Sequence, residues 1–293
     1  MLASKPGISG EISNKCITIV YISLEKFNKM NIDLKGKNAL VCGASKGIGK
    51  AAAYALSKLG ACVTLVARSA ELLSEISLDL DQNRVHDQQD HDYLVLDLLD
   101  TEDIKKRVRT LTLKRTYHIL VNNTGGPPAG PITEAEPEAF LKAFQQHLIA
   151  NHLLVQLLTP GMKSAGYGRI INVVSTSVKT PINGLGVSNT TRGAVANWSK
   201  TMATELAPFG ITLNNVLPGS TDTERLRSLM ATMAQRKGIS NEEEVAQWQN
   251  SIPMQRFGSA EEIANAVAFL ASPAASYITG TNLTVDGGRT QTL

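Results

Sequence analysis

The segment Gly43-Ala44-Ser45-Lys46-Gly47-Ile48-Gly49 follows the apolar run Ala39-Leu40-Val41-Cys42 and opens onto the helical segment Lys50 to Leu59. Glycines at 43, 47 and 49 permit a tight turn, and they let the backbone N–H groups around Ser45, Lys46 and Ile48 approach an anion at the positive end of a helix. A glycine cluster alone is also an ordinary turn. Placed between a strand and a helix, with the spacing G-x-x-x-G-x-G, it points to a dinucleotide pyrophosphate.

About 20 residues further on, a chain that selects NAD carries an acid for the ribose 2′-hydroxyl, whereas acceptance of NADP removes that acid and adds a base. Here the second strand ends Val66-Ala67-Arg68-Ser69, with no carboxylate. The Arg68 guanidinium fork suits a 2′-phosphate, and Lys46 offers a second positive charge. NADP(H) is the expected cofactor.

These loops need a scaffold. Short apolar runs recur at Ala39–Cys42, Cys62–Val66, Tyr93–Leu96, Ile119–Val121, Ile170–Val174, Ile211–Leu213 and Leu283–Val285, separated by amphipathic segments. The runs are too short for helices and too apolar for half-exposed strands, so they predict a parallel sheet covered on both faces. The clearest helix is Ser188 to Leu206, with Val195, Trp198, Met202 and Leu206 at helical spacing. The expectation is an α/β fold: a doubly wound, parallel, seven-stranded sheet of Rossmann type in one domain.

Composition agrees. A chain of 293 residues with 43% hydrophobic content can bury one substantial core. A net charge of +3 with scattered basic residues gives no footprint for nucleic acid. Cys16, Cys42 and Cys62 lack metal or redox spacing and read as core thiols of a reducing compartment. No apolar run is long enough to span a bilayer, and the stretch Cys16 to Leu24 lacks the features of a secretory signal. A cytoplasmic location, no membrane partner and no metal are expected. Residues 1–29 show no pattern that connects with the strand and helix periodicity beyond Met30, so they are expected to be a disordered extension, or Met30 the true start of a domain spanning 30–293.

From about Ile32 to Gly288 the sequence resembles the short-chain dehydrogenase/reductase family, in particular 3-oxoacyl-[acyl-carrier-protein] reductase-like members. Asn122-Asn123-Thr124-Gly125 is similar to the family turn after the fourth strand, and Asp97-Leu98 to the pair that contacts adenine. Pro218-Gly219 resembles the turn beside the nicotinamide, with Thr221 and Thr223 near its carboxamide. Ile252 to Gly258, Glu261 to Ala264, Phe269 to Ser272 and Val285 to Gly288 match family motifs in order. The resemblance implies hydride transfer between a nicotinamide and a carbonyl or alcohol, and a homotetramer or homodimer.

It also implies a catalytic Ser, Tyr, Lys and Asn. Ser175 occupies the serine position after the fifth strand. The Tyr-x-x-x-Lys helix aligns with Ser188-Asn189-Thr190-Thr191-Arg192, so Tyr is Ser188 and Lys is Arg192, and the Asn position is His147. A phenol of pKa about 10 is suited to protonating an alkoxide, whereas a serine hydroxyl is a much weaker acid. Arg192 can stabilise an oxyanion but holds its proton. His147, with an ordinary pKa of about 6.5, is the one titratable group near neutrality among these positions. The expectation is that Ser175 and Ser188 bind the substrate oxygen, Arg192 polarises it and orders the ribose, and His147 feeds protons through water. His147 also reads as a core histidine bonded across a helix interface.

Lys179 reads equally as a pocket cation or a solvated loop lysine. Residues 220–251 resemble the family's substrate lid, with Met230, Met233 and Trp248 able to meet an apolar substrate or simply to pack. Two functions remain open: an NADPH-dependent oxidoreductase acting on a small carbonyl or alcohol, and an NADP(H)-binding sensor or scaffold that has lost its acid. A third, smaller alternative is lyase or dehydratase chemistry with His147 as base.

Overall fold

The computed structural model describes residues 30–292. The expected N-terminal extension and Cys16 lie outside the described residues. Seven parallel strands form one sheet: β1 (Asn38–Cys42), β2 (Cys62–Ala67), β3 (Asp92–Val95), β4 (Ile119–Asn122), β5 (Gly168–Val173), β6 (Ile211–Pro218) and β7 (Asn282–Val285). Their order is β3-β2-β1-β4-β5-β6-β7. The order reverses between β1 and β4, and in such sheets the crevice beyond the strands' carboxyl ends at this point holds the ligand.

Helices cover both faces, as the apolar strands require. On one side α1 (Gly47–Lys58), α2 (Ala70–Gln82) and, near the C-terminus, α9 (Ala260–Ala271) bury Leu56, Leu73 and Val267 against β1, β2 and β4. On the other, α3 (Thr101–Lys114), α5 (Ala150–Ala165) and α6 (Gly186–Leu206) bury Ile104, Leu154, Leu158 and Leu206. Each fully buried leucine contributes roughly 1.5–3 kcal/mol. The helical spacing read in α6 meets this layer: Val195 and Leu206 are buried, and Trp198 and Met202 pack at its edge.

Coverage is incomplete at the sheet's edge. Asp92 and Tyr93 of β3 are exposed, in keeping with a strand that has a neighbour on one side only. Cys42 is buried, and desolvation pushes its thiol up to about 12, so it stays protonated. Cys62 is half-buried beside Gln88 and Asp90 rather than a full core thiol.

Two further helices, α7 (Glu224–Lys237) and α8 (Asn241–Asn250), occupy the segment read as a lid. Thr223 and Ser240 cap their N-termini by accepting from Leu226 N and Glu243 N. The two helices are pinned together by Lys237 Nζ, 2.6 and 2.9 Å from the oxygens of the fully buried Glu244 carboxylate. A short α4 (Pro137–Phe144) runs through a π-helical turn, Gln145–Ile149, into α5.

Behind the site lies a ladder of asparagines at matched register. Asn122 pairs with Asn172, Asn172 with Asn215, and Asn215 with Asn282 across β4 to β7. Their side chains bond at 2.8, 3.0 and 2.8 Å respectively, and Asn172 also donates to Ser199 Oγ on α6 at 2.9 Å. These bonds satisfy polar groups that would otherwise be costly to bury, and they tie the strand ends to the helix that carries Ser188 and Arg192.

Candidate active site

A groove of about 910 Å³ opens over the carboxyl ends of the strands at the reversal point. At one end the loop after β1 brings Gly43, Ser45, Lys46, Gly47 and Ile48 to its wall. Gly43 and Gly47 have φ of 61° and 53°, the left-handed region that suits glycine. A Cβ on Gly43 would lie 2.5 Å from the Asn123 carbonyl oxygen. Gly49 is buried and does not line the groove; a Cβ there would overlap the Gly43 carbonyl oxygen, so this glycine serves the packing of α1 under the loop.

The N-cap of α1, Lys46, makes no side-chain capping bond, which leaves the first N–H groups of the helix available to an anion. Arg68 lines the same end from the tip of β2, and Asp97 and Leu98 follow β3. One Asp97 oxygen already accepts from Leu99 N at 3.0 Å, which holds the turn. The expected second charge for the 2′-phosphate is engaged elsewhere: Lys46 Nζ lies 2.8 Å from Glu224 Oε2. Both side chains are largely exposed, where an ion pair is worth little and can exchange.

Asn123 after β4 lies against Gly43 of that loop, and Gly125, Ser175 after β5, Ser188 and Arg192 on α6, and Pro218, Gly219 and Thr221 at the end of β6 also line the groove. Ser188 stands in the first turn of α6 with Arg192 one turn on, so both face the groove. Ser175 Oγ accepts from Ser177 N at 3.1 Å, which fixes the hydroxyl. Arg192 is buried with its Nη1 donating to the Val173 carbonyl at 3.0 Å and its Nη2 to that of Thr124 at 3.5 Å. Burial first, and the neighbouring Arg225 second, lower its pKa to about 10. It remains a cation at neutral pH.

His147 departs from expectation. It sits in the π-helical turn, 1% exposed and behind the groove wall, with Nδ1 hydrogen-bonded to the Thr124 hydroxyl and Nε2 without a partner. Desolvation, then the positive charges of Arg192 and Arg225, push it down to about 2. A histidine that titrates near neutrality and shuttles protons is therefore not what this surrounding makes: the imidazole is neutral throughout the physiological range.

Lys179 and the lid methionines Met230 and Met233 do not line the groove, and Met230 is core; Trp248 does line it. Two lining arginines carry no mark in the sequence. Arg225 on α7 donates to the Pro127 carbonyl at 3.1 Å, and Arg289 after β7 donates to Ser220 Oγ at 3.0 Å and stacks on Trp248 at 4.8 Å. A single arginine has many uses, so its role is not legible before the fold is known.

The residues present suit a dinucleotide: uncapped helix donors, a glycine loop without room for side chains, and a guanidinium at the end of β2. Among the described residues no group of acids, histidines or cysteines could hold a metal ion, and no helix is long and apolar enough to cross a membrane.

Comparison with known proteins agrees with this geometry. The family profile described as enoyl-(acyl carrier protein) reductase matches residues 43–290. A 3-oxoacyl-[acyl-carrier-protein] reductase of Vibrio harveyi is 34% identical over 260 residues, 88% of this chain and 98% of that protein. An NADPH-dependent reductase of Bacillus subtilis is 31% identical over 255 residues, 86% of this chain and 97% of that one. The structure of an L-sorbose reductase from Gluconobacter frateurii, complexed with NADPH and L-sorbose, superposes with a TM-score of 0.84 at 31% identity, covering 90% of this chain and all of that one. The parallel sheet, the glycine loop at its reversal point and the matched sequence together make this chain a member of the short-chain dehydrogenase/reductase family of oxidoreductases.

Proposed function

We propose that the protein is an NADP(H)-dependent oxidoreductase that interconverts a carbonyl and an alcohol. The observation that carries this reading is the sharing of one groove by the glycine loop and Arg68 at one end and Ser175, Ser188 and Arg192 at the other. When bound, the reduced nicotinamide supplies the hydride.

Pro218 and Gly219 form the floor on which the ring would rest, close to Ser175. The hydroxyls of Ser175 and Ser188 donate to the carbonyl oxygen, and the fixed charge of Arg192 stabilises the negative charge that develops there as the C=O electron pair moves to oxygen. The resulting alkoxide takes its proton from solvent in the groove, since neither Ser188 nor Arg192 is an acid of suitable strength. Neutral His147 keeps Thr124 in place through its Nδ1, a positioning role.

A specific observation favours a second reading, an NADP(H)-binding sensor or scaffold: no phenol or ammonium stands where Ser188 and Arg192 do. The deciding experiment is NADPH oxidation against ketones, aldehydes, quinones and oxoacyl thioesters, with Ser175→Ala and the double variant Ser188→Tyr/Arg192→Lys in parallel. Turnover lost in Ser175→Ala and raised in the double variant supports the reductase. Tight NADPH binding with no wild-type turnover on any compound overturns it in favour of the sensor. The reading includes a cytoplasmic homo-oligomer, dimer or tetramer, whose mass light scattering measures.

A further inference from the structure

The reacting end of the groove holds more positive charge than hydride transfer to a neutral carbonyl requires. Arg192, Arg225 and Arg289 all line it. The ion pairs of the described residues engage none of the three. The two acids on the groove wall are occupied elsewhere, Glu224 by Lys46 and Asp97 at the turn after β3. Asp286, the acid that acts on Arg289, already accepts from Gly288 N and Thr290 N.

Each guanidinium has five N–H donors. Arg225 makes a single hydrogen bond, to Pro127 O, and Arg289 a single one, to Ser220 Oγ. Both line the groove, Arg225 from the first turn of α7 and Arg289 from the segment after β7, its plane held by Trp248 of α8. Arg225 also acts on Arg192 and His147, lowering the pKa of both. A bound anion offsets such repulsion between like charges.

Resting on the reductase reading of this site, we propose that the substrate is an anionic carbonyl compound, carrying a carboxylate or phosphate group that Arg225 and Arg289 clamp while its carbonyl meets Ser175 and Ser188. Arg289 bridges Ser220, beside the floor at Pro218-Gly219, and Trp248 on α8, so the clamp joins the C-terminal segment to the helices above the groove. Guanidinium forks match the planar or tetrahedral oxygens of such groups and bond them more strongly than neutral oxygens.

The same two arginines could instead meet the diphosphate of the cofactor, because Thr223, two residues before Arg225, packs against Gly47. The test separates these sources. Kinetics on NADPH-saturated protein would compare levulinate with methyl levulinate, and dihydroxyacetone phosphate with dihydroxyacetone. Calorimetry on NADP⁺-saturated protein would compare malonate with dimethyl malonate, a readout that needs no turnover. All are run on wild type, Arg225→Gln and Arg289→Gln, alongside the NADP⁺ Kd of each.

The expected result is a preference of at least 10-fold for one class of anion over its neutral partner, falling at least 10-fold in each variant while NADP⁺ affinity changes less than 3-fold. The proposal is overturned if the wild type shows no preference, if the preference survives both substitutions, or if the variants lose NADP⁺ affinity instead. Anion binding without NADPH oxidation would sink the reductase reading and leave the clamp standing.

Discussion

His147 gives the sharpest quantitative test, because its environment reverses the usual behaviour of a histidine. Its folded pKa is about 2 against an ordinary 6.5, so between those values the unfolded chain binds a proton that the folded chain does not. Stability therefore rises with pH across this window: the contribution is complete above about 6.5 and is lost as pH falls below it. For one such group, going from pH 7.5 to pH 5.0 removes about 2 kcal/mol. His91 and His118 are also lowered by burial and add losses of the same sign. The informative quantity is thus the difference between wild type and His147→Asn, in which the other histidines cancel. Urea unfolding at the two pH values is expected to show the wild type losing about 2 kcal/mol more than the variant on acidification. Equal losses, within about 0.5 kcal/mol, would mean that His147 is hydrated or paired in the folded protein, and the burial argument would fail.

Arg68→Ala is expected to weaken NADPH binding at least 10-fold and NADH binding less than 2-fold, measured by nucleotide fluorescence; equal losses would remove Arg68 from the 2′-phosphate. Gly49→Ala is expected to cost about 1–3 kcal/mol in urea unfolding and to weaken NADPH binding, since its Cβ meets backbone that cannot swing away. Gly193→Ala, exposed on α6 with nothing within 4 Å of the added Cβ, is expected to stabilise by about 0.5–1 kcal/mol in the same assay. Lys237→Met strands the buried Glu244 carboxylate, so amide exchange in α7 and α8 is expected to accelerate at least 10-fold while exchange in β4 to β6 is unchanged.

The parts of this site legible in the sequence were those written within a few neighbouring residues. The glycine loop, the strand ends and the Ser188–Arg192 pair each depend on local spacing, and the structure brings them to one groove. The apolar run at Tyr93–Leu96 misled because hydrophobicity does not distinguish an edge strand from a central one; the neighbour that is missing beside β3 is a property of the whole sheet. The asparagine ladder was not legible, because Asn122, Asn172, Asn215 and Asn282 are brought side by side only by cross-strand register. Arg225 and Arg289 were unreadable for the same kind of reason. An arginine alone has many uses, and these acquire theirs only through Pro127 and Ser220, which are distant in the chain.

The Ser188–Arg192 pair and the buried His147 have one electrostatic consequence. A tyrosine with a nearby lysine performs two tasks, giving up a proton and holding positive charge at the substrate oxygen. In the proposed mechanism Ser188 with Arg192 keeps the second task and gives up the first, because a guanidinium lowered only to about 10 remains charged at any physiological pH. Burial first, and then repulsion by that cation and by Arg225, keep the His147 imidazole neutral. Positive charge in this groove is therefore permanent rather than titratable. On the proposed reading, such a site attracts and holds negative charge, on the reacting oxygen and on the rest of the substrate alike, and leaves proton delivery to the solvent.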